Sequence, residues 1–254
     1  MLRSVSGVSS VGTISQAQAI KYAQNRGKGF QLFDWEMHKD VGNLHFFKYG
    51  NTDSQGVCGY GTNNYQKVTG LTNALGIRDT VSYYKEKGGS NPQAEGAYRD
   101  GVNYQSVNVL GYENFQGNKA EWLQYVTVNK TAADGRWFIT MPDGTERVVQ
   151  GITVYNADIY PTHMVWGRYM DLIAAKEGGS TSSHWFDRFY VGTGLSRVVY
   201  RSGSYASALG GVSCASANYD SSYTNASIGV RLAFRGIIRW AGSVAAFKAI
   251  NQAD

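Results

Sequence analysis

Proline is almost missing from this chain, at 3 of 254 residues, and charged residues make up only 17% of it. With 31 glycines and 13% aromatics, 18 tyrosines among them, this is the composition of a folded, turn-rich protein rather than a disordered one. Cysteine occurs twice, as Cys58 and Cys214. Two cysteines make no disulfide framework; they could pair, but we read them as free thiols of a protein made in a reducing cytoplasm. The net charge of +5 is spread out, and no run of Lys or Arg follows a phosphate backbone, so no nucleic acid partner is expected. No stretch reaches the length of a membrane span, which argues against membrane insertion. The N-terminal "MLRSVSGVSSVGTISQAQAI" lacks the apolar core of a secretory signal. Work outside a cell would then imply exit by lysis, or a signal already trimmed.

The usual signatures of chemistry are missing too. His38, His45, His163 and His184 show no H-x-H or H-E-x-x-H spacing, and no C-x-x-C accompanies them, so structural roles are assigned to all four. There is no P-loop, and "GVCGYG" lacks the following helix and acidic residue of a dinucleotide site. Glu113, Glu121 and Asp143 are not spaced as a paired-carboxylate hydrolase would need. Neither a cofactor nor a metal is implied.

One absence is local. Between Phe186 and Arg239, 54 residues, there is no Lys, Glu, Gln, Met or Trp. These types supply 41 of the 254 residues, so at even usage such a window would hold about nine. What fills it is Ser, Gly, Ala, Asn and five tyrosines: Tyr190, Tyr200, Tyr205, Tyr219 and Tyr223. Tyrosine gives large, rigid contact area at low entropy cost, while Ser, Asn and Gly adapt their hydrogen bonds; binding loops are built this way. The five missing types are also those that an N-N-pyrimidine codon cannot encode. A plainer origin is a small-residue β segment into which bulky polar groups do not fit.

Along the chain, Ser15 is a natural N-cap for "QAQAIKYAQNRGKGF", with Ala19, Ile20 and Ala23 on one face and Gly27 as a stop. A second helix is predicted in "LFDWEMHKDVGNLHFFKYG", with Phe33, Met37, Val41 and Leu44 spaced for burial and Gly42 as its weak point. Residues 51–111 show little periodicity and read as an ordered insert. The "PDG" of "RWFITMPDGTERVVQGI" predicts a hairpin. "HWFDRFYVG", "SRVVYR" and "IGVRLAFRGIIRW" are further strands, and Trp240, Val244 and Phe247 share a helical face in the tail. With no repeat and no linker, we expect one α+β domain over 1–254, two N-terminal helices followed by irregular short antiparallel strands.

Three blocks, in order, carry a resemblance. They are "AIKYAQNRGKGFQLFDWEMHKDVGNLHFFKYGNTDSQ", then "GYENFQGNKAEWLQYV" with Gly111, Glu113, Asn114, Gly117, Asn118 and Trp122, then "SRVVYRSGSYASALGGVS" leading to "NASIGVRLAF". The chain resembles the C-type-lectin-like variable proteins diversified by retroelements, particularly those of gut bacteriophages and prophages. In that family, mutagenesis of template adenines produces N-N-pyrimidine codons, and a lectin-like scaffold holds the varied side chains on one face.

The resemblance implies a C-type-lectin-like fold, shared with formylglycine-generating enzymes, with 186–239 as variable ligand-binding region and 240–254 as a C-terminal tail. The implied contact residues are Tyr200, Ser202, Ser204, Tyr205, Ser207, Cys214, Ser216, Asn218, Tyr219, Ser222, Tyr223 and Asn225. Val198, Gly203, Gly211, Ile228, Gly229 and Leu232 would be scaffold, and Trp122 would be buried. It implies a non-enzymatic receptor-binding protein or adhesin at a phage tail-fibre tip, part of the virion. Its partners would be a bacterial surface protein or glycan and other tail proteins, with a homotrimer one arrangement left open. Calcium is not implied, since the acidic and Asn ligand cluster of ordinary C-type lectins is missing. Two alternatives remain: a variable protein of the bacterial surface, and a formylglycine-generating-type cysteine oxidase. Cys214 sits where such enzymes carry reactive cysteines, but alone and without His or Lys beside it.

Overall fold

The structure, a computed structural model, describes residues 2–62, 68–86, 88, 106–153, 157–203, 209–236 and 242–245. Its first helix, α1 (Gln16–Gln24), begins where Ser15 predicts. The Ser15 hydroxyl accepts from the Gln18 amide at 3.2 Å, and the Gln18 side chain accepts from the Ser15 amide at 3.3 Å. This reciprocal pair satisfies two of the amides that a helix start leaves unpaired. Ala19 and Ala23 are fully buried and Ile20 partly so.

A short strand, β1 (Phe30–Leu32), leads to α2 (Trp35–Tyr49), capped by Asp34 and ended by Gly50 in the left-handed region at φ 61°. The helix buries Trp35, His38, Val41, Gly42 and His45, while Met37 is only partly buried. Leu44, expected inside, is 58% exposed. It lies roughly 200° of helix rotation beyond Gly42, on the solvent side with Phe47. Gly42 is where α2 meets its neighbour: a Cβ there would stand 2.6 Å from the Leu172 side chain.

Within the insert lie two short helices, α3 (Ser54–Cys58) and α4 (Thr80–Glu86), and a small hairpin closes it, β2 (Asn108–Val109) pairing with β3 (Tyr112–Glu113) just beyond its end. The remaining strands are β4 (Ala120–Lys130), β5 (Arg136–Thr140), β6 (Glu146–Gln150), β7 (Asp158–Ile159), β8 (His163–Val165), β9 (Ile173–Lys176), β10 (Phe189–Val191), β11 (Gly194–Arg201), β12 (Ala215–Tyr219), β13 (Ile228–Val230) and β14 (Leu232–Phe234). The described residues are thus mixed α and β, mostly strands with few helices. None of the described helices is long and apolar enough to cross a membrane.

Eight strands form one sheet in the order β6-β5-β4-β11-β12-β10-β7, with β13 joining β4 beside this path. The expectation of an antiparallel arrangement needs correction: β10 with β12 and β13 with β4 run parallel. Both pairs are joined through longer excursions of the chain, which parallel pairing requires. The predicted hairpin is β5–β6, closed over Pro142–Asp143–Gly144 with the Met141 amide 2.8 Å from the Thr145 carbonyl. At the other end of the sequence, β14 pairs antiparallel with β1, tying the two ends of the described fold together.

Neighbouring residues of the same strands feed two hydrophobic clusters. Leu123, Val126, Val128 and Val199 join Trp35, Trp137 and Phe189 on the α2 side. Ala120, Trp122, Val198 and Ile228 join Ala19 and Ala23 of α1 on the other. One sheet therefore supplies both, by the two-residue alternation of strand side chains. Trp122 is fully buried, and its indole nitrogen donates to the Ile14 carbonyl at 3.0 Å. Between Trp122 and Thr127, β4 bulges against β11. Gln16 donates there to the Leu123 carbonyl at 2.6 Å, and the Gln124 side chain accepts from the Leu32 amide at 3.0 Å. Of the three residues expected on one helical face of the tail, Val244 falls among the described residues, 72% exposed; Trp240 and Phe247 lie outside them.

Candidate functional site

Strand register sets the first part of the site. Ser216 of β12 faces Tyr190 of β10 on one side and Tyr200 of β11 on the other, and Tyr200 faces Trp122 of β4. Directly opposed residues point to the same face, so these four form a row across the sheet. Tyr200 meets Trp122 edge-on at 5.4 Å between ring centroids and lies roughly parallel to Tyr219 at 6.0 Å. After Tyr219 the chain turns back over Asp220, whose carboxylate accepts from the Ser222 amide at 2.8 Å and the Ser222 hydroxyl at 2.5 Å. That turn lays Tyr223 flat on Tyr219, centroids 3.6 Å apart and planes 2° from parallel.

The result is a ladder of rings rising from the buried Trp122 through Tyr200 and Tyr219 to Tyr223. All three tyrosines are partly buried against the α1-side cluster. The Tyr219 phenol donates to Tyr223, which raises the pKa of Tyr219 and lowers that of Tyr223. Asn225 donates to the Tyr223 oxygen at 3.2 Å while its own carbonyl accepts from the Ser227 amide and hydroxyl, both at 2.8 Å. Burial raises the Tyr200 phenol well above its ordinary value. Tyr200, Asn218, Tyr219, Ser222, Tyr223 and Asn225 are therefore brought together, with Ser222 exposed and the others part-exposed.

Ser202, Cys214 and Ser216 are different, and their expected place on a contact surface is corrected. They are 3%, 0% and 1% exposed. Cys214 and Ser216 lie at and beside the start of β12, an inner strand flanked by β11 and β10, and Ser202 turns inward at φ 63° to donate to the Gly210 carbonyl at 3.1 Å. Burial pushes the Cys214 thiol up to about 12, the state of an inert structural thiol rather than a nucleophile. Cys58 is likewise buried and both cysteines are free. Ser204, Tyr205 and Ser207 lie outside the described residues.

Two anchors under the site escaped the sequence reading. Asp187 accepts from the Gly211 amide at 2.7 Å, the Ser213 amide at 2.9 Å and the Ser213 hydroxyl at 2.7 Å. Burial pushes its carboxyl up to about 6. The second is Arg201, fully buried with its guanidinium 3.6 Å from the Phe115 ring centroid and 5.3 Å from that of Phe33. It donates to the Phe115 carbonyl at 2.6 Å and to Glu121, which Arg231 also engages at 2.8 and 3.1 Å. Burial would raise the Glu121 carboxyl, but the two arginines outweigh it and hold it low. The one sequence signal for the first anchor was the charged pair Asp187–Arg188 set inside the aromatic run "HWFDRFY".

The arrangement offers contact area and hydrogen bonds rather than a poised nucleophile. Among the described residues no three His, Cys, Asp or Glu side chains gather as a metal site. His38 and His45 are sealed in the α2-side core. No protein-family model matches the chain, and no curated protein matches its sequence.

Proposed function

We propose that this chain is a non-enzymatic binding protein of C-type-lectin-like fold whose tyrosine ladder reads a bacterial surface protein or glycan. Its place would be the tip of a phage tail fibre. The observation that carries this reading is the set of three part-exposed tyrosines, stacked on one another and set edge-on against a buried tryptophan, in the segment restricted to N-N-pyrimidine residues. Stacking fixes the rings before a partner arrives, so little side-chain entropy remains to be lost on binding. The pairing of β1 with β14 and the α1 and α2 flanks suit a lectin-like scaffold that closes on itself. Display on the bacterial surface would use the same ladder.

The buried, high-pKa Cys214 weighs against the cysteine-oxidase alternative, which needs an accessible thiolate. Adsorption of the protein to host cells tests the proposal. Tyr223→Ala, at the outer end of the ladder, loses one ring pair and is expected to lower the melting temperature by only a few degrees. It should lose about 2 kcal/mol or more of binding, as interfacial tyrosine anchors do. Undiminished adsorption by a folded Tyr223→Ala protein would refute the ladder as the reader.

A further inference from the structure

A cleft of about 550 Å³ lies between the N-terminal segment and β13 and shares no lining residue with the ladder. The segment is held over it as a strap. Leu2 is buried with its amide 3.2 Å from the Tyr22 carbonyl, the Thr69 hydroxyl donates to the carbonyls of Val5 and Val8 at 2.5 and 3.2 Å, and the Thr13 amide reaches the Asn225 carbonyl at 3.0 Å. Gly229 lets the strap pass close: a Cβ there would stand 2.5 Å from the Val11 carbonyl oxygen.

The carboxylates in the walls are already engaged. Glu113 accepts from the amides of Gly70 and Thr72 at 2.6 and 3.1 Å, and Glu121 is paired with Arg201 and Arg231. Lys119 donates to the Ala226 carbonyl at 2.8 Å. Arg3 borders the cleft as an exposed charge, and what the walls bury without a partner is neutral. Asn118 is 6% exposed, its amide nitrogen faces Ser10 of the strap at 3.5 Å, and its carbonyl oxygen is buried without a partner. Tyr112 borders the same cleft, 36% exposed, its ring braced against Phe33 at 5.8 Å and Phe115 at 5.6 Å.

An unmet carbonyl oxygen calls for a ligand hydrogen-bond donor, and a braced aromatic ring calls for a flat apolar face. The geometry points to this cleft as a binding site for a neutral saccharide unit, whose hydroxyls meet Asn118 and the strap serines while its C–H face rests on Tyr112. The volume lies within the roughly 300–1,000 Å³ of small-molecule sites. This site is separate from the ladder and does not depend on the ladder's role.

The test is an amide-shift titration of the ¹⁵N-labelled full chain with N-acetylglucosamine, galactose and mannose, with a serine tetrapeptide as the comparison. At least one sugar should move the amides of Asn118, Gly229 and Arg231. Asn118→Gly, which keeps the left-handed backbone at φ 58°, should weaken that sugar about tenfold, as loss of one buried hydrogen bond does. Tyr112→Leu keeps the contact with Phe33 and Phe115 and should weaken it several-fold, and it decides the matter if Asn118→Gly does not fold. Silence of the cleft amides with all three sugars, unchanged affinity in the folded variants, or shifts with the peptide alone would overturn the assignment.

Discussion

Among the described residues, Tyr219 touches a ring on each side, and Tyr223 touches only one. This difference separates two substitutions that composition alone would treat alike. Tyr219→Ala should lower stability as well as binding, because aromatic pairs contribute about 0.5–1.5 kcal/mol beyond their buried area; thermal melts beside adsorption assays check this. Cys214→Ser is expected to destabilise by about 1–3 kcal/mol, since it places a hydroxyl in a fully buried site built around sulfur. Chemical denaturation of the variant measures it. Two histidines add a pH dependence. Burial lowers His45 to about 4 and His38 well below its ordinary value, and neither ring has a hydrogen-bond partner. A histidine depressed in the folded state contributes stability that is complete above the unfolded value, about 6.5. That contribution is lost as pH falls from there toward about 4. Asp187, raised to about 6, acts with the opposite sign, so the comparison has to be between variants. Urea denaturation across this window should show a shallower acid loss in His45→Phe than in the native chain.

At the scale of elements, α2 shows what packing adds to propensity. Gly42 reads as a weak point in the helix, yet it is the point of closest approach to Leu172. Gly42→Ala, favourable by propensity, should instead destabilise by about 1–3 kcal/mol as an overpacked contact, visible as a lower midpoint in a urea melt. The start of α1 was legible because its cap is local, Ser15 acting within three residues; Asp34 caps α2 in the same way but was not singled out. Leu44 was misplaced because an i, i+3 spacing fits either side of a helix that carries apolar residues on both. The β5–β6 hairpin was legible from its turn, but strand order was not. Pairing of Ile228 with Ala120 or Phe189 with Ala215 joins residues distant in sequence, and nothing local records it. The ladder was half legible. Its tyrosines announced themselves by composition, while Cys214 and Ser216 share that composition and are sealed at the start of β12, where Tyr219 at the strand's end is not. Arg201 and Glu121 were opaque for the same reason: a buried charge is tolerable only with a partner, and theirs stands 80 residues away.

At the scale of the whole molecule, the fold is closed by its ends. Removing the chain from Leu232 onward deletes β14, leaves β1 unpaired, and should abolish the cooperative thermal transition seen by circular dichroism. Arg201→Met should cost about 3–5 kcal/mol, because it strands the Glu121 charge in the interior beside a single arginine. Glu121 also occupies a geometric position of its own. Arg201, where β11 ends, pairs with it from one side, and Gly229 pairs with it from the other. The chain thus departs from and returns to the same residue of β4, at points separated by two strand spacings, about 10 Å. Within that excursion, residues 220–227 join β12 to β13 as a loop with held ends, and its closure entropy grows only with the logarithm of its length, about 0.6 kcal/mol per doubling. Lengthening the exposed turn at Ser221 and Ser222 by a few residues should therefore shift the melting temperature by no more than about 2 °C. The turn can then change length at little cost, while the scaffold beneath keeps a fixed register.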